Sequence, residues 1–372
     1  MDKPRYIMIG GFLGAGKTTA IAKFGQYLAD GGKRVGLITN DQANGLVDTA
    51  MLRSRGFATE EIAGGCFCCR FSSLTNAAEN LTASTKPDIF LAEPVGSCTD
   101  LVATVTYPLR RLYNEQYDLA PFSVLVDPVR ARRVLGLDDG RQFSPKVTYI
   151  YRKQLQEAHA IVINKTDSME EGAIDGLEAA LKSEFPASRI FRISARQGGI
   201  EFEKWMDWVL EETIGNTPAM DIDYDIYAEG EALLGWLNAT VSLNSDRQFD
   251  PGALLQHLCS QIQSAVAAND GEIAHLKMTL SPHTGLGDVA IINVVRNDIV
   301  PELSQSIDEP VSGAELVINL RAELDPAILE QIVRDSLSGS SLQQSSQFAD
   351  ASIDHIESFR PGRPVPEHRD SI

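Results

Sequence analysis

Through about residue 210 the chain alternates short apolar runs with longer stretches of helical period. The runs are Tyr6–Ile9, Val35–Thr39, Ile89–Leu91, Ser123–Val126, Ala160–Ile163 and Ile190–Ile193. Continuous apolar runs of this length predict strands covered on both faces, as in a parallel sheet whose crossovers are helices. Lys17–Ala29 and Glu201–Glu212 supply two such helices, the second carrying Trp205, Trp208 and Val209 at core-facing spacing. Residues 1–214 are therefore expected to form an α/β domain with a mostly parallel sheet and helices on both faces.

The texture changes at Gly215. Thr217-Pro218 is followed by Asp221, Asp223, Asp225, Glu229 and Glu231, which reads as a solvated acidic linker over residues 215–232 rather than a cation site. Beyond it, Leu237–Leu243, His275–Leu280, Ala290–Val295 and Glu315–Leu320 read as strands, with helices near Pro251–Ala267 and Asp325–Leu337. One helix among the strands and one closing them predict a smaller α+β domain with an antiparallel sheet over residues 233–337. From Ser338 to the end the chain turns to Ser and Gln, then to Pro and Arg in Phe359-Arg360-Pro361-Gly362-Arg363-Pro364. Residues 338–372 are expected to stay disordered or peripheral.

Composition narrows the partners. The formal charge of −18, from 33 basic and 51 acidic side chains, would repel phosphate backbones, and no basic stripe offsets it, so nucleic acid is not expected as a partner. No apolar run approaches the roughly 20 residues that span a bilayer, and Met1-Asp2-Lys3-Pro4-Arg5 runs directly into an apolar strand, so a secretory leader is not expected. Five cysteines, three of them crowded at Cys66, Cys68 and Cys69, do not resemble a disulfide framework; a reducing, cytoplasmic location is expected.

Gly11-Phe12-Leu13-Gly14-Ala15-Gly16-Lys17-Thr18 fits the phosphate-binding pattern G-x-x-x-x-G-K-[ST], fed by the apolar run Tyr6–Ile9 and leaving into a helix. Gly11, Gly14 and Gly16 let the chain curl so that the N–H groups from Gly14 to Thr19 point inward at phosphate oxygens, where the helix dipole adds its positive end. Lys17 would supply charge to the β- and γ-phosphates, and the Thr18 hydroxyl a ligand to Mg²⁺. The base is chosen elsewhere. Asn164-Lys165-Thr166-Asp167 follows the apolar run Ala160–Ile163, and an Asp167 carboxylate can accept from both N1–H and the 2-amino group of guanine. Adenine offers no such pair of donors, so the motif predicts GTP over ATP. Ser194-Ala195-Arg196, after another strand, could add a backbone N–H to the guanine.

Two acids end strands on the same edge: Asp41 in Thr39-Asn40-Asp41, and Glu93 in Glu93-Pro94-Val95-Gly96. Either could reach Mg²⁺ or orient the attacking water, and either could be an ordinary loop acid. Gly96 matches a glycine whose N–H senses the γ-phosphate.

Gly64-Gly65-Cys66-Phe67-Cys68-Cys69 brings three thiols into four positions after a double glycine that allows a sharp turn. Thiolates suit Zn²⁺ or a similar soft or borderline ion such as Co²⁺. The spacing lacks the second pair of a closed structural site; Cys98, a carboxylate, water or a recipient protein could complete it. Buried structural cysteines are the bland alternative.

Together these segments resemble the CobW-type metallochaperone GTPases, relatives of the urease and hydrogenase nickel-insertion GTPases. The resemblance rests on residues 10–19, 64–69, Glu93–Gly96 and Asn164–Asp167, covers residues 5–210, and extends more loosely to the second domain. It implies a P-loop NTPase fold, a transition-metal site at Cys66, Cys68 and Cys69, and GTP-driven delivery of metal to a client metalloprotein or cofactor-synthesis enzyme. The chain departs from the usual pattern at Asn40-Asp41-Gln42-Ala43 and at Ser97-Cys98-Thr99-Asp100, and its six histidines are scattered rather than clustered. Two other readings compete: a guanine-nucleotide switch with a structural metal or none, and a P-loop kinase, against which Asn164–Asp167 argues.

Overall fold

In a computed structural model of the chain the described residues are 3–41, 56–215, 218–283, 288–339 and 350–371. They divide into two units, residues 1–228 with 364–372, and residues 229–363.

The first unit is built on strands β1 (Arg5–Gly11), β2 (Val35–Asp41), β3 (Ala58–Ala63), β4 (Ile89–Glu93), β5 (Asp118–Leu119), β6 (Ser123–Val126), β7 (Ala160–Ile163) and β8 (Arg189–Arg192). They pair in parallel in the order β3-β2-β4-β1-β6-β7-β8, with β5 beside β1. Every residue of β1, β4, β6 and β7 is buried, so both faces of the central strands are covered, as their unbroken apolar character requires. The helices are α1 (Lys17–Asp30), α2 (Phe71–Ser84), α3 (Tyr107–Tyr113, entered through a π-helical turn at Val102–Thr106), α4 (Pro128–Val134), α5 (Pro145–Glu157), α6 (Glu171–Glu184) and α7 (Ile200–Glu211). Trp205 of α7 is fully buried against Phe24 and Phe202, and its indole N–H donates to Ser123 Oγ at 3.1 Å, so the ring packs without stranding its one polar atom.

The second unit holds one antiparallel sheet in the order β12-β11-β10-β13-β9-β14. Its strands are β9 (Leu234–Phe249), β10 (Glu272–Pro282), β11 (Ala290–Val294), β12 (Glu302–Gln305), β13 (Val311–Glu323) and β14 (Asp350–Phe359). Along β13 the side chains of Ala314, Leu316, Ile318, Leu320 and Ala322 alternate onto one fully buried face. That face shares a core with Leu254, Leu258 and Ile262 of α8 (Pro251–Ala268) and with Leu329 and Val333 of α9 (Pro326–Ser336). Cys259 belongs to this core, far from the chemistry of the other thiols in kind as well as in sequence.

Three expectations change. Residues Ala58–Ala63, not read as a strand, form β3 on the sheet edge; Glu60 and Glu61 break the apolar run that marks the interior strands. The acidic stretch is not featureless, because Tyr224–Leu233 is helical and Asp223 accepts from the N–H groups of Asp225 and Ile226 at its start. The tail is ordered where it is described: β14 adds to the edge of β9, with Ala351, Ile353 and Ile356 against the core, and residues 364–370 pack on the first unit. Ser and Gln bias across 338–349 masked the alternating pattern that follows it.

Candidate nucleotide and thiol site

The phosphate loop joins β1 to α1 at the carboxyl edge of the sheet, where parallel sheets present ligand sites. Gly11 and Gly16 have φ of 131° and 89°. A Cβ on Gly11 would stand 2.3 Å from the Leu125 carbonyl oxygen, and one on Gly16 would stand 2.4 Å from Asn164 Nδ2. The second clash explains the glycine through its neighbour. Asn164 donates to Ala15 O at 2.8 Å and accepts from the Ala195 N–H at 2.9 Å. Lys165, itself at φ 56°, donates to Gly14 O at 2.7 Å and pairs with Asp127 at 2.9 Å. The phosphate loop, Asn164-Lys165 and Ser194-Ala195 are thus stitched together although they lie far apart in sequence. Asp167 is exposed, beyond the stitched pair, with its carboxylate accessible. Thr19 is exposed in the first turn of α1, while Lys17 is buried and donates to Phe12 O at 3.4 Å.

Glu93 closes β4 buried, and the Thr18 hydroxyl donates to it at 3.0 Å. A hydroxyl and a carboxylate are hard oxygen donors of the kind Mg²⁺ takes, so the two residues suited to hold it stand side by side. Asp41 closes β2, and its side chain falls outside the described part of the structure. Gly96 lies against the phosphate loop: a Cβ there would come within 2.9 Å of the Leu13 backbone nitrogen.

The cysteines follow β3. Its neighbour is β2, so β3 and β4 are separated by one strand rather than adjacent. Asn40, at the end of β2, donates to Ile62 O at 2.9 Å and Gly65 O at 2.6 Å and so fixes the turn. The N–H groups of Cys69 and Arg70 then close on Cys66 O at 3.1 and 2.9 Å. Cys66 and Cys68 are buried, Cys69 is half-buried, and their sulfurs lie within 4.8 Å of one another. Zn–S bonds of about 2.3 Å in tetrahedral array place sulfurs about 3.8 Å apart. Cys68 and Cys69 already stand at 3.7 Å, while Cys66 and Cys68, at 2.8 Å, would open slightly around an ion. Hydrogen bonds from Cys68, Cys69 and Cys98 favour the thiolate at Cys66 and hold its pKa well below the ordinary thiol value. Cys98, buried on the loop after Glu93, interacts with Cys66 but lies outside the group of three sulfurs that stand within 4.8 Å of one another.

Several residues carry this site without a motif to announce them. Gln154 of α5, buried, donates from one amide to both Gly96 O at 2.9 Å and Cys98 O at 2.8 Å. Glu157, one turn on, accepts from the Thr99 hydroxyl and the Val102 N–H, each at 3.0 Å. Burial pushes its carboxyl from an ordinary 4.5 up to about 8, against the pull of the Val102 N–H and helped by nearby Asp100. In the unfolded chain the group loses its proton at lower pH than in the fold. Stability from this residue should therefore be full at pH below about 4.5 and decline as pH rises through about 8. Thermal melts across that range should show a shallower decline in Glu157→Gln; an identical slope would place the pH response elsewhere.

Residues 5–192 match the CobW/HypB/UreG nucleotide-binding domain family. The chain belongs to that family. It is 32% identical over 163 residues to the zinc chaperone YeiR of Escherichia coli, covering 43% of this chain and 46% of that one. With the zinc chaperone CobW of a Sinorhizobium species it shares 30% identity over 197 residues, 47% of this chain and 54% of the relative. The chain spans about half the length of the curated relatives it matches. Among solved structures, the Zn(II)-bound YjiA GTPase of E. coli is 15% identical with a TM-score of 0.39, covering 90% of this chain and 98% of that one. HypB from Helicobacter pylori in complex with nickel is 19% identical with a TM-score of 0.40, covering 56% and 86%. Among the described residues no helix is long and apolar enough to cross a membrane.

Proposed function

We propose that this chain is a GTP-hydrolysing metallochaperone that binds Zn²⁺ at Cys66, Cys68 and Cys69 and passes it to an acceptor protein or cofactor pathway. The observation that carries the reading is the loop Glu93–Asp100. One end meets Thr18 of the phosphate loop, and the other carries Cys98, which interacts with Cys66 from outside the three-sulfur group. The names of the relatives as zinc chaperones favour Zn²⁺, and the same donors would accept Co²⁺. GTP is the nucleotide because Asp167 offers an exposed carboxylate to two guanine donors; the Ala195 N–H, expected as a further guanine contact, instead donates to Asn164 and ties that loop to the motif.

In this reading Lys17 and the loop N–H groups bind the β- and γ-phosphates, and Thr18 and Glu93 are the residues that would hold Mg²⁺, which neutralises charge on the phosphates. The Thr18–Glu93 contact supports a further role for Glu93 in orienting a water toward the γ-phosphate. The tight approach of Gly96 to Leu13 supports a role in sensing that phosphate.

Metal content measured with and without GTP, alongside GTP turnover with and without Zn²⁺, tests the proposal directly. Zinc that binds but alters neither GTP affinity nor turnover would leave a nucleotide switch with a structural metal. Glu93→Gln should retain GTP binding and reduce turnover by about 10²-fold or more. Unreduced turnover in that variant would move the role to Asp41.

A further inference from the structure

Residues 364–370 lie across the thiol cluster, and nothing in the nucleotide reading requires them. The Val365 N–H donates to Cys69 Sγ at 3.3 Å, and the Glu367 N–H donates to Cys68 O at 2.9 Å. Helix α2, which begins directly after the cysteines, has no side-chain cap of its own at Arg70. The cap comes from the other end of the chain: the Glu367 carboxylate accepts from the Ser72 N–H at 3.0 Å and the Ser72 hydroxyl at 3.2 Å. His368 stands edge-on to Phe71 at 4.9 Å between ring centres.

The same segment holds the second thiol loop. Arg369 Nε donates to Asp100 Oδ2 at 2.8 Å, on a carboxylate 1% exposed that also accepts from the Tyr224 hydroxyl at 2.6 Å. Asp100 sits at φ 66°, a left-handed conformation unusual for a residue with a side chain, so its loop is held rather than relaxed. Asp370 pairs with Arg111 at 2.8 Å, and its N–H donates to Ala103 O at 2.9 Å. These bonds use alternate side chains of a segment that is neither helix nor strand, Glu367 on one anchor and Arg369 on the next, as a bound peptide is read.

We infer that the surface formed by the cysteine loop, the first turn of α2 and Asp100 is a peptide-docking face, and that residues 364–370 occupy it in cis. This rests on the metal reading only for its consequence. Cys69 is the half-buried thiol of the three, so an acceptor that takes the metal must approach from the side this segment covers. An acceptor suited to the face presents an extended peptide with a carboxylate for the α2 terminus and, two residues later, a guanidinium for Asp100. It competes with the chain's own end, and the metal stays protected until it does.

The test uses the full chain carrying Glu367→Ala and Arg369→Ala together. In the metal-free protein, alkylation of Cys69 by iodoacetamide, followed by peptide mass spectrometry, should accelerate by about tenfold or more, since several charge-assisted hydrogen bonds are removed. A synthetic peptide of residues 364–372 should slow it again. GTP affinity should stay unchanged, which verifies that the variant is folded. In the zinc-loaded protein, transfer to a chromogenic chelator should accelerate in parallel. Equal alkylation rates in the two proteins would overturn the inference, whatever zinc does. A chain that binds no zinc yet shows the accelerated alkylation would overturn the metal reading and leave the docking face standing.

Discussion

Asp167→Ala is expected to collapse the preference for GTP over ATP, from on the order of 10⁴-fold to within about tenfold. The size follows from what adenine does to a site built for guanine, which is to leave a carboxylate facing no donor. The phosphate grip should survive, because the bonds that shape it belong to Asn164 and Lys165, which reach Ala15 and Gly14 without help from Asp167. GDP and ADP affinities in the variant, measured by calorimetry, should therefore be similar and both measurable. Loss of all nucleotide binding would mean that Asp167 shapes the loop rather than reads the base. Equal binding of GTP and ATP by the unaltered chain would refute guanine selection altogether.

Serine at positions 66, 68 and 69 together is expected to abolish stoichiometric zinc, with affinity down by at least about 10³-fold, since hydroxyls do not replace thiolates toward a borderline ion. GTP should bind the zinc-free variant as it binds the zinc-free parent. The parent carries a further requirement: if GTP changes zinc affinity by some factor, zinc must change GTP affinity by the same factor. The triple variant should lose both effects. Zinc binding should also weaken in acid, where protons compete for the sulfurs, although the hydrogen bonds at Cys66 extend its thiolate form to lower pH. Competition against a zinc chelator of known affinity, at two pH values and in both nucleotide states, measures all of this.

The legible parts of the sequence were those in which local chemistry and fold coincide. Interior strands β1, β4, β6 and β7 had to be apolar throughout because both their faces are covered, and they were found on that ground. The phosphate loop and Asn164–Asp167 are contiguous, and their spacing carries their meaning. Edge strands β3 and β14 escaped for the complementary reason, although β8, also at an edge, was read. Ala58–Ala63 and Asp350–Phe359 pair along one side only, so polar residues are tolerated and the apolar signal thins.

The supporting residues were illegible for a different reason. Gln154 acts on Gly96 and Cys98 from 58 and 56 residues away, and a lone glutamine in an amphipathic helix has no periodicity to betray it. Asp127 had a visible signal: an acid between the strand Ser123–Val126 and Pro128 marks a helix start, and its carboxylate caps α4 at the Arg130 N–H. Its second task, holding Lys165, depends on strand order. Asn40 stood in view only as the residue before the departure that begins at Asp41, and its work on Gly65 appears once β3 is placed beside β2.

The single amide of Gln154 has a mechanical consequence. By gripping the carbonyls of Gly96 and Cys98 at once, it clamps both ends of the short span between them to α5. Gly96 and the Cys98 backbone are therefore expected to move together, and Gln154→Ala to let them move apart.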